Sequence, residues 1–372
     1  MLLIGLILFY YFLRFPFVAS PLFLFHFLRN TNTEMKKNIF TILQYISFLG
    51  FGIFLVWWSI KNIDAAGWND IKNSLAKVKY YYIFPVAGLL LLSHWIRALR
   101  WKLLMEPLGY HPKKVNTFLA TMIGYLANLA VPRLGEVLKC TIIARYDNVP
   151  AQKLIGTMLL ERIVDVLCLI IVFVFILITQ SDLMTGFFQE IFQFQNNGAA
   201  TDNLSPLVII VLVLIFLTIL AWILFKKFSK TLIVIKLTHL LQGVWQGLMS
   251  IRYVQKKKLF FVQTLLMWFM YYASTHIGFW ALEETKHFGT NQALAVLAFG
   301  SIGLIITPGG LGGYPFMVQQ TLLLYGLTSS IGWAFGMLTW LAQTVVVVIF
   351  GLLSFVLLPY FNKNKNAATR KN

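Results

Sequence analysis

Two long apolar stretches of this chain are broken at their centres by proline and glycine. The first break is VPRLGE at residues 131–136, and the second is TPGGLGGYP at residues 307–315. Proline ends a helix because it lacks an N–H group and clashes with the preceding turn. Inside a bilayer, the peptide groups freed by such a break are tolerated only where protein or a cavity surrounds them. Paired breaks in the two halves of a membrane protein indicate a substrate site between them.

Composition places the chain among integral membrane proteins. Of its 372 residues, 59% are hydrophobic and 12% are charged, and the mean hydropathy is +0.75. A soluble domain carries about twice that charged fraction. The net charge of +18 would suggest nucleic acid in a soluble protein, but here Lys and Arg lie mainly between apolar runs, where they meet anionic lipid heads. We therefore expect an all-α membrane protein whose partners are lipids with anionic or zwitterionic headgroups, and no nucleic acid.

Cofactor and metal motifs are missing from the sequence. The two cysteines, Cys140 and Cys168, have neither metal-site spacing nor the pattern of a disulfide framework. The six histidines form no H-E-x-x-H cluster, and there is no G-x-x-x-x-G-K-[ST] loop for a nucleotide. We expect no cofactor and no metal.

Six apolar runs have the ~20 residues that cross about 30 Å of hydrocarbon. They cover residues 39–60, 80–98, 154–179, 206–225, 259–281 and 331–358. The two broken stretches, 116–150 and 293–327, are predicted to form re-entrant helical hairpins because each of their halves is too short to span. Each half of the chain then contains two spans, a broken hairpin and a third span, in opposite orientations. This is an inverted-topology repeat, as in many secondary transporters.

Charge in the loops predicts the orientation of the chain. Residues 226–258 carry eight Lys and Arg and no acid, whereas residues 181–205 carry no Lys or Arg. We therefore expect 226–258 to lie inside, as an amphipathic helix, and both termini to be cytoplasmic in a bacterial-type cytoplasmic membrane. Residues 61–79 are an exception, because they are predicted to lie outside and yet contain four lysines.

The chain is predicted to contain one membrane domain with two flanking segments. Residues 1–34 are expected to be either a non-native upstream extension or a poorly ordered segment, because Met35 precedes two lysines and an apolar run. The membrane domain is expected at 35–358, with halves at about 35–180 and 206–358. Residues 359–372 form a basic cytoplasmic tail.

The first break supplies two candidate binding residues, Arg133 and Glu136. A helix that restarts near Gly135 would direct free N–H groups and its positive dipole end into the site. Together with Arg133, those groups would form a receptor for a phosphate or a carboxylate. The alternative is that Arg133 and Glu136 pair with each other at the depth of the lipid headgroups.

The second break supplies backbone that a ligand can approach closely, since glycine accepts positive φ angles without penalty. Pro315 suits the first turn of a new helix, whose N-terminus would face an anion. The alternative is that the glycines only permit tight helix packing. The candidate residues here are Pro308, Gly309, Gly310, Gly312 and Gly313.

Ionisable residues also interrupt the spans. Glu161 and Asp165 share one face of the third span, where Arg162 can pair with Asp165. Charged groups at that depth in a membrane cost free energy and therefore indicate a function by default. Here the carboxylates would relay a proton or pair with the facing Arg133. The alternative is a self-neutralised pair near the interface.

A stripe at the inner end of the second span is formed by His94, Arg97, Arg100 and Trp101. Arginine beside tryptophan would grip lipid phosphates at this level. The alternative is ordinary anchoring by basic and aromatic residues at the membrane surface.

In this order along the chain, these motifs resemble the transmembrane region of lysylphosphatidylglycerol synthases, a family that includes stand-alone flippase-like bacterial membrane proteins. The resemblance covers roughly residues 36–358. The motifs are Arg97-x-x-Arg100-Trp101, Pro132-Arg133-Leu134-Gly135-Glu136, Glu161-Arg162-x-x-Asp165 and Thr307-Pro308-Gly309-Gly310-Leu311-Gly312-Gly313. In two-part synthases this region resembles a lipid flippase, while a cytosolic domain attaches the amino acid. Only a short tail follows residue 358, so the resemblance implies lipid translocation and not aminoacyl transfer.

The sequence is compatible with three functions. The leading hypothesis is a flippase-like carrier of a phospholipid or a lipid-linked headgroup. The second is an enzyme that modifies a lipid headgroup, with Glu161 or Asp165 as base and Arg133 as phosphate clamp. It ranks lower because the sequence shows no nucleophile–base pair and no metal cluster. The third is a non-catalytic partner of a separate soluble synthase, with residues 226–258 as the docking surface.

Overall fold

The structure is a computed structural model that describes residues 47, 49–131, 133–180 and 251–363. All regular structure in these ranges is helical. Residues 39–174 and 247–372 belong to one compact unit, and the packing described below lies within it. The helices are α1 (Leu49–Ile60), α2 (Ala65–Ala76), α3 (Ile83–Met105), α4 (Lys114–Ala130), α5 (Leu134–Asp147), α6 (Ala151–Thr179), α7 (Lys257–Phe279), α8 (Thr290–Ile306), α9 (Gly313–Leu324) and α10 (Ser329–Phe361).

The order and lengths of the helices repeat along the chain. Helix α3, the pair α4–α5 and helix α6 are followed later by α7, the pair α8–α9 and α10. Helices α3 and α7 each have 23 residues, α4 and α8 each have 17, and α6 and α10 have 29 and 33. Helices of 17 residues or fewer are shorter than the ~20 residues of a full span. The predicted broken hairpins are therefore present in both halves.

The corresponding helices α3 and α7 run antiparallel. At the start of α3, the Lys79 N–H donates to the Ala281 carbonyl at the end of α7, at 2.9 Å. Toward the other end of α3, Arg100 donates to Thr264 near the start of α7, at 3.3 Å. Equivalent helices that point in opposite directions are what an inverted repeat requires.

Each hairpin is closed by a glycine pair. A Cβ added at Gly135 would overlap the Gly124 carbonyl, and one added at Gly303 would overlap the Gly313 carbonyl. The absence of a side chain therefore lets the two arms of each hairpin approach through their backbones. The close contact at Gly313 agrees with the alternative that the glycines of the second break permit tight helix packing, and a binding role for that glycine stays a prediction.

The long helix α10 contacts both hairpins. Its first half packs on α9, where Gly336 lies against the Pro315 backbone, and its second half packs on α4, where Gly351 lies against Leu126. Its end is joined to the start of α4 by a hydrogen bond from Asn362 to Asn116 of 2.8 Å. Helix α6 likewise contacts α8 through the rings of Phe173 and Phe299, whose centroids are 5.1 Å apart.

The tips of the two hairpins meet. Gly309, in the turn between α8 and α9, lies against Leu129 at the end of α4, so that a Cβ at Gly309 would sit 2.5 Å from the Leu129 side chain. The indole N–H of Trp340 on α10 donates to the Gly309 carbonyl at 2.9 Å. The two breaks singled out in the sequence therefore lie side by side.

Three of the described helical segments are long and apolar enough to cross a membrane, namely Tyr80–Leu108, Lys153–Thr179 and Ser329–Phe361. The span predicted at 80–98 extends to Met105, because the polar face of its last turns is buried in protein. The span at 206–225, the charged loops at 181–205 and 226–250, and residues 1–34 and 364–372 of the two terminal segments lie outside the described residues. Residues 359–361 of the predicted tail are the end of α10.

We predict that Gly135→Ala lowers the apparent melting temperature in detergent, because the added methyl group must push the arms of the first hairpin apart. Overpacking of this kind costs about 1–3 kcal/mol. Gly88→Ala is the matched control, since Gly88 lies in α3 with open space around its Cβ position. Equal melting temperatures for the two variants would contradict the close backbone contact.

Candidate functional site

Five charged side chains converge where α3, α5 and α6 pack together. Arg97 and Arg100 come from α3, Lys139 from α5, and Glu161 and Asp165 from α6. We call these five residues the ionic cluster. Their side chains are between 0% and 13% exposed, so the cluster is largely removed from solvent. Charges at that depth persist only when they are paired.

Asp165 forms ion pairs with both arginines of α3. The Arg100 Nη2 atom lies 2.6 Å from Asp165 Oδ1, and the Arg97 Nη2 atom lies 2.8 Å from Asp165 Oδ2. Arg97 and Arg100 are one turn apart, so both reach the same carboxylate from one helix face. Arg100 also donates to the Thr264 hydroxyl of α7, which ties the cluster to the second half of the chain.

Glu161 lies deeper and pairs with Lys139. The Lys139 Nζ atom donates to Glu161 Oε2 at 2.8 Å. The other carboxylate oxygen is 3.7 Å from Arg97 and 3.8 Å from Arg100. Glu161 therefore neutralises charge from both α3 and α5, and its side chain is fully buried.

Trp101 forms part of the wall of the cluster. Its ring is buried, and the Lys139 ammonium lies 4.4 Å from the ring centroid. The indole N–H donates to the Thr157 hydroxyl at 3.0 Å. The apolar ring excludes water, while its face adds cation–π attraction to Lys139.

A second ion pair lies beside the cluster, between Glu136 of α5 and Arg162 of α6, at 2.9 Å. The sequence prediction that Arg162 pairs with Asp165 is therefore wrong. Arg162 points to the neighbouring hairpin, while Asp165 faces α3. Arg162 is a partner of Glu136 in the structure, and the alternative that Arg133 pairs with Glu136 stays a prediction.

The cluster holds more positive than negative charge. It contains three cations and two carboxylates, and the pair Glu136–Arg162 leaves this excess unchanged. Within the described part of the chain, the Nε–H groups of Arg97, Arg100 and Arg162 are buried and have no hydrogen-bond acceptor. Unmade hydrogen bonds of buried groups are costly. These donors therefore favour an additional anion with several acceptor oxygens.

Access to the cluster is along the edge formed by Arg97 and Asp165. Their side chains are 10% and 13% exposed, whereas those of Arg100 and Glu161 are 0% exposed. Val166, directly after Asp165, is 50% exposed, and Ile170 one turn further is 51% exposed. An apolar face of α6 thus begins next to the accessible carboxylate.

Arg97 and Arg100, predicted as part of a stripe at the inner end of the second span, have side chains that are buried within the protein. Arg100 and Trp101 are fully buried, and His94 stacks against Tyr125 with ring centroids 4.8 Å apart. These side chains turn inward because α6 presents two carboxylates to this face of α3. Arg97 and Arg100 therefore pair with a carboxylate inside the protein, and their role toward lipid stays a prediction.

The first break holds Arg133 exposed, with a left-handed backbone at φ 66°. Pro132 lies outside the described residues. The Gly135 N–H donates to the Asn128 side chain at 2.8 Å, and the Leu134 N–H donates to the Val131 carbonyl at 3.2 Å. The expectation that α5 begins with free N–H groups is therefore corrected, because the break itself satisfies two of them.

The second break is a left-handed turn held by protein contacts. Gly309, Gly310 and Gly312 have φ angles of 57°, 77° and 70°, which only glycine adopts readily. Pro315 lies in the first turn of α9, as predicted. Among the described residues, this turn is not part of the ion-pair network, and its contacts are with the first hairpin and α10. Pro308 and Gly313 lie at the two ends of this turn.

Lys139 is the member of the cluster that sequence reasoning missed. It lies within the short helix α5, three residues after Glu136, and a lysine inside a membrane hairpin is itself an indication of a buried carboxylate partner. Within the described residues, no group of three or more His, Cys, Asp and Glu side chains could hold a metal ion.

Comparison with known proteins agrees with this architecture. The family described as Lysylphosphatidylglycerol synthase TM region matches residues 44–351. A UPF0104 membrane protein of Methanocaldococcus jannaschii is 25% identical over 135 residues, which cover 36% of this chain and 38% of that protein. The match thus spans less than half of that relative's length. No solved structure matches the chain.

We predict that Glu161→Gln destabilises the protein strongly, because it leaves Lys139, Arg97 and Arg100 with one carboxylate. Removal of one partner from a buried ion pair costs about 3–5 kcal/mol. The double variant Glu161→Gln/Lys139→Gln should recover much of that loss, since it restores the original charge difference. Melting curves in detergent measure both, and a double variant no more stable than the single one would contradict the pairing.

Proposed function

Since the chain belongs to the lysylphosphatidylglycerol synthase transmembrane-region family, we propose that this multi-pass membrane protein is a flippase-like carrier of lipids. Its cargo is a phospholipid or a lipid-linked headgroup that bears a phosphate. The single observation that best supports this is the buried excess of positive charge with unmade arginine donors beside Asp165. A phosphate offers the acceptor oxygens that these donors lack.

The ionic cluster also suits a zwitterionic headgroup. Glu161 Oε1 and Asp165 Oδ2 are buried carboxylate oxygens that lie in ion pairs with the arginines of α3 but accept no aligned hydrogen bond among the described residues. Arginine donors and carboxylate acceptors therefore lie within one site. A phosphate would bind on the Arg97 side, while an ammonium group would bind at Asp165.

A lipid reaches this site without leaving the bilayer. The accessible edge, Arg97 and Asp165, adjoins the exposed apolar face of α6 that includes Val166 and Ile170. The headgroup enters between α3 and α6, while the acyl chains remain against this face. Polar side chains along this path lower the free energy that is needed to move a charged headgroup through the hydrocarbon region.

Movement of the headgroup follows from the paired hairpins. Their tips meet at Leu129 and Gly309, and a Trp340 hydrogen bond holds the second tip. Rocking of one half against the other separates or closes this contact and exposes the site to alternate leaflets. We place the protein in a bacterial-type cytoplasmic membrane with both termini inside, on the charge pattern of its loops.

The other two hypotheses have less support. A general base needs a carboxylate free to accept a proton at the substrate. Glu161 is fully buried and bound to Lys139, and Asp165 is bound by Arg97 and Arg100. The docking surface proposed for a soluble synthase lies largely outside the described residues.

We predict that the purified full chain moves fluorescently labelled phospholipids across proteoliposome membranes, and that Arg97→Lys slows this movement about tenfold or more. Lysine keeps the charge but cannot make the guanidinium contacts, and a charge-assisted hydrogen bond is worth about 1.5–3 kcal/mol. Arg133→Ala should also abolish translocation, because we expect the exposed Arg133 of the first break to guide the headgroup. The panel includes phosphatidylglycerol, phosphatidylethanolamine and a lipid-linked sugar.

Arg145→Lys and Arg145→Ala are the matched controls, because Arg145 lies on the exposed face of α5. Gel filtration confirms that each variant is folded before its rate is compared. Wild-type protein that moves no lipid in the panel would overturn the carrier proposal. Folded Arg97→Lys that transports at the wild-type rate would overturn the role of the ionic cluster.

A further inference from the structure

A cleft of about 520 Å³ opens at the other end of the α3–α7 pair, where α3 begins and α7 ends. It lies about 25 Å from the ionic cluster, as measured by the rise of the helix from Lys79 to Arg97. The cleft is therefore separate from the site described above. Its lining residues are Lys79, Tyr82, Trp280, Lys286 and His287.

The walls of the cleft are fixed by packing and by the backbone. The Lys79 N–H donates to the Ala281 carbonyl at 2.9 Å. The neighbouring Val78 is buried in one hydrophobic cluster with Phe279 and Leu282. The side chains that line the cleft are thus presented by backbone whose position does not depend on a ligand.

The two lysines of the cleft share one carboxylate. Lys79 Nζ is 3.3 Å from Glu283 Oε2, and Lys286 pairs with Glu283 Oε1. Hydrogen bonds from Lys286 and Lys79 hold the pKa of Glu283 below its usual value, so this carboxylate is charged. The next acid, Glu284, accepts instead from the Ser74 hydroxyl of α2. Among the described residues, the two lining lysines therefore have one paired carboxylate between them.

Aromatic rings form the rest of the wall. Tyr82 and Trp280 meet edge to face with centroids 5.9 Å apart, and His276 packs on the other side of Trp280 at 5.8 Å. Trp280 is 42% exposed. Rings with an apolar body and a polar edge are suited to the boundary between headgroups and acyl chains.

The cleft also offers an explanation for the lysines of residues 61–79, which are an exception to the positive-inside rule. Residues 61–79 carry four lysines on the side of the membrane where few are expected. The last of them, Lys79, lines the cleft, and Lys286 lies on the same side in the loop after α7. A basic pair kept on this side indicates an anionic ligand there.

We propose that this cleft is a second binding site, which holds the phosphate group of a lipid headgroup in the leaflet next to α2. The two ammonium groups contact the phosphate, and the Tyr82 and Trp280 rings contact the glycerol and the start of the acyl chains. This inference goes beyond translocation, because the site binds lipid whether or not the protein moves it.

Photo-crosslinking of the full chain in detergent tests the site directly. The probe is a short-chain phosphatidylglycerol with a diazirine near its headgroup, and peptide mass spectrometry locates the label. Label is expected within residues 79–82 or 280–287. Lys79→Gln/Lys286→Gln should weaken this labelling about tenfold, since two partly screened ion pairs are lost. Lys72→Gln/Lys77→Gln is the control with the same charge change, because both lysines are exposed on this side but lie outside the cleft.

Unlabelled phosphatidylglycerol should compete with the probe, and short-chain diacylglycerol should not. Equal labelling of both double variants, or equal competition by diacylglycerol, would overturn the site. Inorganic phosphate that competes as well as phosphatidylglycerol would assign the cleft to free phosphate and overturn the lipid assignment. If the cleft is labelled but the protein translocates no lipid, the second binding site is supported and the carrier proposal is contradicted. If the protein translocates lipid but the cleft is not labelled, the carrier proposal is supported and the second binding site is contradicted.

Discussion

The structure depends on an unequal set of charges buried between α3, α5 and α6. Asp165 holds two arginines and Glu161 holds Lys139, so three cations share two carboxylates away from water. Desolvation of such groups costs more than pairing alone returns, and hydrophobic residues of similar volume would often be as stable. Ionisable residues inside a membrane protein are candidates for a functional site, so the remaining charge supports the proposed phosphate site. The second half shows the contrast, because α8, α9 and α10 contain no Asp, Glu, Lys or Arg at all.

The two hairpins contact each other through a small number of close contacts, and the first hairpin belongs to the half of the chain that holds the ionic cluster. Their arms are held together by backbone contact at Gly135 and Gly303, and their tips touch each other at Leu129 and Gly309. The second tip is a turn of left-handed glycines that a hydrogen bond from Trp340 holds in place. The ionic cluster lies in the first half of the chain, and the uncharged helices α8 and α9 of the second half supply the second tip.

Much of this architecture is readable from the sequence, because it follows from rules of local chemistry. Pro308 and the glycines after it must end α8, and the segments on either side are too short to span. The pairing of charges is less accessible. A spacing of three residues allows Arg162 to meet Asp165, yet Arg162 of α6 pairs with Glu136 on the neighbouring hairpin. The inward turn of Lys139 and the Asn128 cap depend likewise on contacts between distant segments, which periodicity does not specify.

The most direct test of the central claim is a cryo-electron microscopy structure of the protein in lipid nanodiscs of phosphatidylglycerol. The account predicts a lipid phosphate within hydrogen-bond distance of the Arg97 guanidinium, with the acyl chains along α6 beside Val166. Lipid phosphates confined to the two membrane surfaces, with the Arg97–Asp165 edge sealed by protein side chains, would contradict it.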